Sequence, residues 1–153
     1  TCNVGFTVDC SECRACDAGK FKTNTGNAPC TACLANAQSP VGSAACLCNA
    51  GYFKNNESDC EQCVAGTYKS STGSAPCTDC AAKTYSAAPG ATVCVNCPSN
   101  SDSPVGSSVS TACTCNGGVA PAEGCTVCSP GHYWLASRGH CSICNKGKYS
   151  TTT

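Results

Sequence analysis

Cys63-Val64-Ala65-Gly66-Thr67-Tyr68-Lys69-Ser70-Ser71-Thr72-Gly73-Ser74-Ala75-Pro76-Cys77-Thr78-Asp79-Cys80 is the stretch from which the rest of the chain can be read. A cysteine opens a loop, Gly66 follows three residues on, and an aromatic, Tyr68, two after that. Gly73 sits at a turn, Pro76 leads into the closing Cys77, and Cys80 opens the next loop. The stretch Cys16–Cys30 repeats the unit at the same length, with Gly19, Phe21, Lys22, Gly26 and Pro29. Such units read as disulfide-closed, hairpin-like loops strung on Cys-x-x-Cys junctions.

Composition supports that reading. The chain has 153 residues and 20 cysteines, far above the level that marks a disulfide scaffold. It has three Phe, five Tyr, one Trp and no Met. Such a chain cannot bury enough apolar surface to offset the entropy of ordering itself. Something covalent or metallic must replace the core; disulfides are the favoured replacement, and they persist only outside the reducing cytosol. Lys+Arg and Asp+Glu are nine each. A net charge of zero argues against a nucleic-acid partner held by phosphate contacts and against a polybasic membrane surface. No apolar run approaches the roughly 20 residues of a membrane span. With no initiator Met and no signal peptide, the chain reads as a mature form or a fragment.

The cysteines repeat over a long period. Cys13, Cys16, Cys30 and Cys33 match Cys77, Cys80, Cys94 and Cys97, each 64 residues apart. Ser39-Pro40-Val41-Gly42-Ser43 recurs as Ser103-Pro104-Val105-Gly106-Ser107, each time shortly before a Cys-x-Cys. This divides the chain into an N-terminal segment (1–12), an eight-cysteine repeat (13–76), a second (77–140) and the start of a third (141–153). The third stops at Thr153 before a closing cysteine, and the expectation is that further repeats follow.

The fold class expected is small, disulfide-rich and mostly irregular, with short β-hairpins in an elongated linear array. No window has helical periodicity, and Gly, Pro, Ser, Thr and Asn dominate between cysteines. The glycine three residues after an opening cysteine is expected at positive φ. The aromatic two residues later (Phe21, Phe53, Tyr68, Tyr85, Tyr133, Tyr149) is expected to pack on a disulfide as a tiny core. Contacts should run only between adjacent loops, as in a quasi-one-dimensional array.

Eight Cys-x-x-Cys and two Cys-x-Cys elements also invite a zinc reading. Scarce Lys and Arg and small Ser/Thr/Gly-rich loops favour disulfides instead, and the aromatics argue against a metallothionein-like cluster. No metal and no cofactor is expected. Spacing alone does not dictate connectivity. The expected scheme closes each loop on itself: Cys16–Cys30, Cys33–Cys46, Cys48–Cys60, Cys63–Cys77, Cys80–Cys94, Cys97–Cys113, Cys115–Cys125 and Cys128–Cys141. The competing scheme pairs alternate cysteines, such as Cys13–Cys30 with Cys16–Cys33. Each closed loop of this size stabilises by about 3 kcal/mol in the chain-entropy model. Cys2 is left to meet Cys10 or Cys13, so Cys10, Cys13 and Cys144 are candidates for an intermolecular disulfide that joins copies head to tail.

The pattern Cys-x-x-Gly-Thr-Tyr…Gly-x-x-x-Cys-x-x-Cys, carried by residues 63–80, resembles the ephrin-receptor-like cysteine-rich repeats. More distantly it resembles the first module of the TNF-receptor cysteine-rich domains. Cys46-Leu47-Cys48-Asn49-Ala50-Gly51-Tyr52 with the 63–69 stretch is similar to repeat arrays in large surface proteins of microalgae and other protists. The resemblance implies an extracellular, disulfide-rich array. Lys83 stands where the loop glycine is expected, loops 33–46 and 97–113 lack the Gly-x-aromatic element, and Cys2 and Cys10 lie outside the repeat.

Nothing in the sequence assembles a catalytic constellation. His132 and His140 flank Trp134 and read as solvent-facing. The carboxylates are few and scattered, and Glu57, Asp59 and Glu61 read as a solvated loop rather than a Ca²⁺ site. Asn56-Glu57-Ser58 is an N-glycosylation sequon in a loop. The expected role is therefore non-enzymatic: a glycosylated extracellular stalk, coat or filament, self-associating or continuing into further repeats. The alternative is a receptor or adhesin ectodomain that binds a protein or glycan, with Trp134 beside Tyr133 as the contact. Dithiothreitol is expected to abolish the far-UV circular dichroism and protease resistance of the oxidised protein, and EDTA to change neither. Unfolding by EDTA with stoichiometric zinc release is the opposite outcome.

Overall fold

A computed structural model describes residues 1–56, 59–115, 132–135 and 140–144. The chain forms two compact units. One holds Thr1–Val64, Tyr68–Thr78 and Pro89–Val93, and the other Ala65–Thr67, Asp79–Ala88 and Cys94–Thr153. Sixteen short strands pair into eight two-stranded antiparallel hairpins among the described residues. They are β1 (Phe6–Asp9) with β2 (Glu12–Ala15), β3 (Lys20–Phe21) with β4 (Thr31–Ala32), β5 (Ala37–Gln38) with β6 (Leu47–Cys48), and β7 (Tyr52–Lys54) with β8 (Cys60–Gln62). Then come β9 (Thr67–Tyr68) with β10 (Thr78–Asp79), β11 (Thr84–Tyr85) with β12 (Val95–Asn96), β13 (Ser101–Asp102) with β14 (Thr114–Cys115), and β15 (His132–Leu135) with β16 (His140–Ile143). Each strand pairs only with its neighbour in sequence. The one helical element described is a 3₁₀ turn at Ser110–Ala112.

Among the described residues seven disulfides staple these hairpins: Cys2–Cys13, Cys16–Cys30, Cys33–Cys46, Cys48–Cys60, Cys63–Cys77, Cys80–Cys94 and Cys97–Cys113. Their Cα–Cα distances of 5.4–5.7 Å lie at the centre of the range a cystine spans. The competing alternate-cysteine scheme is overturned: Cys13 bonds Cys2 and Cys16 bonds Cys30, not Cys30 and Cys33. The hairpin registers give the physical reason: Lys20 opposite Ala32 and Phe21 opposite Thr31 close residues 16–30 as one loop, while Cys13 sits in the preceding hairpin opposite Val8. The two residues inside Cys30-Thr31-Ala32-Cys33 are β4, and those inside Cys77-Thr78-Asp79-Cys80 are β10. In extended chain, residues i and i+3 face opposite ways. The two sulfurs of a junction therefore diverge into two different disulfides.

Between loops, one backbone position repeats. The third residue after each opening cysteine has positive φ: Gly5 76°, Gly19 78°, Asn36 60°, Gly51 79°, Gly66 87°, Lys83 72° and Asn100 60°. Lys83, Asn36 and Asn100 keep the conformation without the glycine. The N–H of this residue donates to the sixth residue of the next loop: Gly5 to Lys22, Gly19 to Ser39, Gly51 to Lys69, Gly66 to Ser86 and Lys83 to Ser103, at 2.8–3.0 Å. Its carbonyl accepts from the cysteine that opens the next loop, as in Cys16 to Gly5, Cys63 to Gly51 and Cys97 to Lys83, at 2.8–2.9 Å. At Cys46-Leu47-Cys48 the junction is one residue shorter, and the donor to Asn36 moves to Asn49.

Two expectations are corrected. Contacts do not stop at the adjacent loop: a Cβ on Gly5, Gly51 or Gly66 would run into the carbonyl of Gly42, Gly90 or Gly106, two loops further on. Nor do the aromatics form the core. Phe21, Phe53, Tyr68 and Tyr85 are half-buried. Among the described residues the buried side chains are those of the opening cysteines Cys2, Cys16, Cys48, Cys63 and Cys80, with Lys22, Ser39, Lys69, Ser86, Ser101, Ser103 and Ser107. Each of these five cysteines is covered by the loop that follows it: the carbonyls of Cys2, Cys16, Cys48, Cys63 and Cys80 accept from the N–H groups of Gly26, Gly42, Gly73, Gly90 and Gly106.

Gly51→Ala is expected to lose about 2 kcal/mol or more, combining left-handed backbone strain with the collision at Gly90. Gly19→Ala has open space around its Cβ, and only the backbone term of about 1 kcal/mol remains. Amide exchange at Cys63 for the first and Cys33 for the second measures the difference. Equal effects would show that the close approach contributes nothing.

Candidate functional site

The residues singled out in the sequence fall in separate places. Asn56 is exposed at the turn between β7 and β8. Beside it the turn is closed by Asn55 N–H donating to the Asp59 carbonyl and by Asp59 N–H donating to Asn55 Oδ1, both at 2.9 Å. Glu57 and Ser58, the rest of the sequon, lie outside the described residues. Cys13, a candidate for intermolecular bonding, is joined to Cys2. That leaves Cys10, exposed, and Cys144, half-buried, as free thiols. Cys10 and Ser11 are the two-residue turn between β1 and β2, with φ of 46° and 80°. Two left-handed residues suit a tight hairpin, but Asn-Gly is the favoured pair there. Cys115 is disulfide-bonded. Cys125 and Cys128 lie outside the described residues, as does the Cys141 side chain, and so do Gly118, Ala120, Gly131, Gly147 and Tyr149.

Trp134 lies on β15 opposite Cys141, with Tyr133 opposite Ser142. The side chains of Tyr133, Trp134 and His140 are outside the described set. By register, Trp134 is the sixth residue after Cys128, the position that Lys22 and Lys69 hold after Cys16 and Cys63. Among the described residues no three His, Cys, Asp or Glu side chains gather as metal ligands would.

Sequence reasoning missed two buried lysines. Lys22 and Lys69 are 5% and 4% exposed. The Lys22 ammonium donates to the carbonyls of Phe6 and Gly26 at 2.6 Å, with Asn3 at 3.5 Å. Lys69 donates to Tyr52 at 2.7 Å, Gly73 at 2.9 Å, Cys48 at 3.1 Å and Asn49 at 3.2 Å. At the same register Ser39 donates to the Lys20 carbonyl at 2.8 Å and Ser103 to that of Thr84 at 2.9 Å. Burial pushes the pKa of Lys69 down by desolvation, while its carbonyl partners act in the opposite sense, since only the ammonium supplies three donors. A lysine in a Ser/Thr-rich stretch reads as solvated. The signal available was its fixed place, six residues past an opening cysteine.

Residues 51–92, and again 66–113, match the family described as tyrosine-protein kinase ephrin type A/B receptor-like. Residues 51–113 are similar to ephrin-receptor-like cysteine-rich repeats. Over 57 residues, 35% of this chain, it is 44% identical to ephrin type-B receptor 4a of Danio rerio. Over the same length it is 38% identical to ephrin type-B receptor 3 of Gallus gallus and 42% to ephrin type-B receptor 4 of Homo sapiens. The match spans 6% of the length of each of these relatives. Residues 51–113 of the ephrin-receptor-like match run from the left-handed Gly51 to the closing Cys113, so whole loops are shared and not isolated cysteines.

Iodoacetamide applied to the monomer without reduction is expected to alkylate Cys10 and none of the fourteen cysteines of the seven described disulfides. Peptide mass spectrometry reads this directly, and label on Cys13 would contradict the pairing with Cys2.

Proposed function

We propose that this chain is part of an extracellular, non-enzymatic array whose role is structural: a stalk, coat or filament segment at the cell surface. The observation that carries the reading is the repeated inter-loop clip. Gly5, Gly19, Gly51, Gly66 and Lys83 each tie their loop to the next by two main-chain hydrogen bonds, and each of these loops is closed by its own cystine. A protein built this way adds length by adding loops and needs no large apolar core. The number of disulfides fits an oxidising compartment. Exposed Asn56 suits a glycan, and free Cys10 suits a bond to Cys144 of a second copy.

The names of the relatives favour a second reading, a receptor-type ectodomain with a protein or glycan partner. Under it Trp134 is the contact to test. Negative-stain microscopy of the chain and of a tandem duplication separates the two. Particle length that doubles with duplication supports the structural reading, and compact particles of unchanged length overturn it. Loss of surface binding by Trp134→Ala supports the receptor reading.

Secreted from a eukaryotic host, the protein is expected to carry one N-glycan, and Asn56→Gln to remove it with no change in disulfide map. A non-reducing peptide map of the purified polymer is expected to join Cys10 to Cys144. A monomer with both thiols free removes the crosslink from the proposal.

A further inference from the structure

Among the described residues, neither Lys22 nor Lys69 is in an ion pair. The pairs seen are Arg14 with Asp9 and Asp17, Lys20 with Asp17, and Lys83 with Asp102, all exposed. A buried charge without a counterion must be compensated by hydrogen bonds. Here main-chain carbonyls do all of it, and they are built twice in one register. Asn3 and Asn49 each follow the opening cysteine of the preceding loop. Phe6 and Tyr52 are four past it, and Gly26 and Gly73 are four past the lysine. The turn is fixed to that loop as well: Gly26 N–H donates to the Cys2 carbonyl at 2.8 Å, and Gly73 N–H to that of Cys48 at 2.9 Å.

The loop before the lysine is short in both cases. Cys2–Cys13 and Cys48–Cys60 have sequence separations of 11 and 12. Where the preceding loop has a separation of 14, a serine stands in the place of the lysine: Ser39 and Ser103 reach one carbonyl, four past the opening cysteines Cys16 and Cys80, while Ser86, after Cys63–Cys77, turns to the Ala88 carbonyl of its own loop. We propose that each short loop, with the turn of the loop that follows, forms a main-chain site for a primary ammonium, and that Lys22 and Lys69 are its tethered ligands. The ammonium's three donors point tetrahedrally and meet converging acceptors. A planar guanidinium presents its donors in one plane and does not fit such a cage. Without the cation every one of these carbonyls loses its charged donor, those of Asn3, Gly26, Cys48 and Asn49 keep only a main-chain N–H, and the short loop loses part of its hold on the next.

Lys69→Ala in the full chain deletes the atoms from Cγ to Nζ, which n-propylammonium resupplies. Amide exchange at Gly51 and Gly73 is expected to speed up about tenfold or more, with Gly5 and Gly26 unchanged. Added n-propylammonium is expected to restore protection, and tetramethylammonium, which has no N–H, to leave it lost. Lys69→Arg is expected to behave like Lys69→Ala. Unchanged exchange in Lys69→Ala, full protection in Lys69→Arg, or equal rescue by tetramethylammonium overturns the proposal. Lys22→Ala mirrors the experiment at Gly5 and Gly26. A measurement on the unaltered protein stands beside these in case a variant does not fold. Acetylation by an N-hydroxysuccinimide ester is expected to modify Lys20, Lys54 and Lys83 and to spare Lys22 and Lys69 until the disulfides are reduced. Acetylation of Lys69 as fast as of exposed Lys54 overturns the site.

Discussion

The fold depends on one backbone position, the left-handed third residue of each loop. A residue in that conformation turns its N–H and its carbonyl toward the following loop, so two hydrogen bonds cross each regular junction. Single bonds of this kind contribute about 1 kcal/mol each, but they recur at a fixed spacing and cannot slip. The cystine closes the same loop and holds the position in place. Glycine is favoured there at Gly51 and Gly66, where the carbonyls of Gly90 and Gly106 press against the Cα. Elsewhere the conformation is held by context, as Lys83 demonstrates.

Burial follows from this geometry and is not apolar in the ordinary sense. Val41, Val64, Val93 and Val105 are more than 60% exposed, so the aliphatic side chains do little of the packing. The interior is sulfur, serine and two lysine stems. Each buried side-chain nitrogen and oxygen among the described residues has a hydrogen-bond partner, and a core this thin would not tolerate a half-satisfied network. The lysine's four-carbon stem fills volume as a leucine would while its head satisfies carbonyls, and no residue of the usual core set does both.

The stapled-hairpin architecture was legible because cysteine spacing and the Gly-x-aromatic element carry it in plain view, from Cys16-Asp17-Ala18-Gly19 to Cys63-Val64-Ala65-Gly66. Its reach was not. Gly42 and Gly90 look like ordinary turn glycines, and nothing in their neighbours tells that a loop two places away packs on their carbonyls. Asn36, Lys83 and Asn100 looked like departures from the pattern, yet the backbone there is unchanged, since asparagine tolerates the left-handed region and the clip over-determines Lys83. The pairing of Cys2 with Cys13 was open in the sequence because Cys10 stood equally near. The two-residue turn at Cys10-Ser11 places Val8 opposite Cys13 and leaves Cys10 at the tip. Lys22 and Lys69 were hidden because composition rules send lysine to solvent.

The divergence of the two sulfurs at each junction has a mechanical meaning. The covalent skeleton is a succession of closed rings, Cys2–Cys13, Cys16–Cys30 and onward, joined by linkers of two residues, or one at Leu47. A pull along the chain enters a ring at one sulfur and leaves by the other, so the residues inside the ring never bear load. Under tension such a protein can lengthen only at its linkers, and its loops keep their shape after the hydrogen bonds between them have parted.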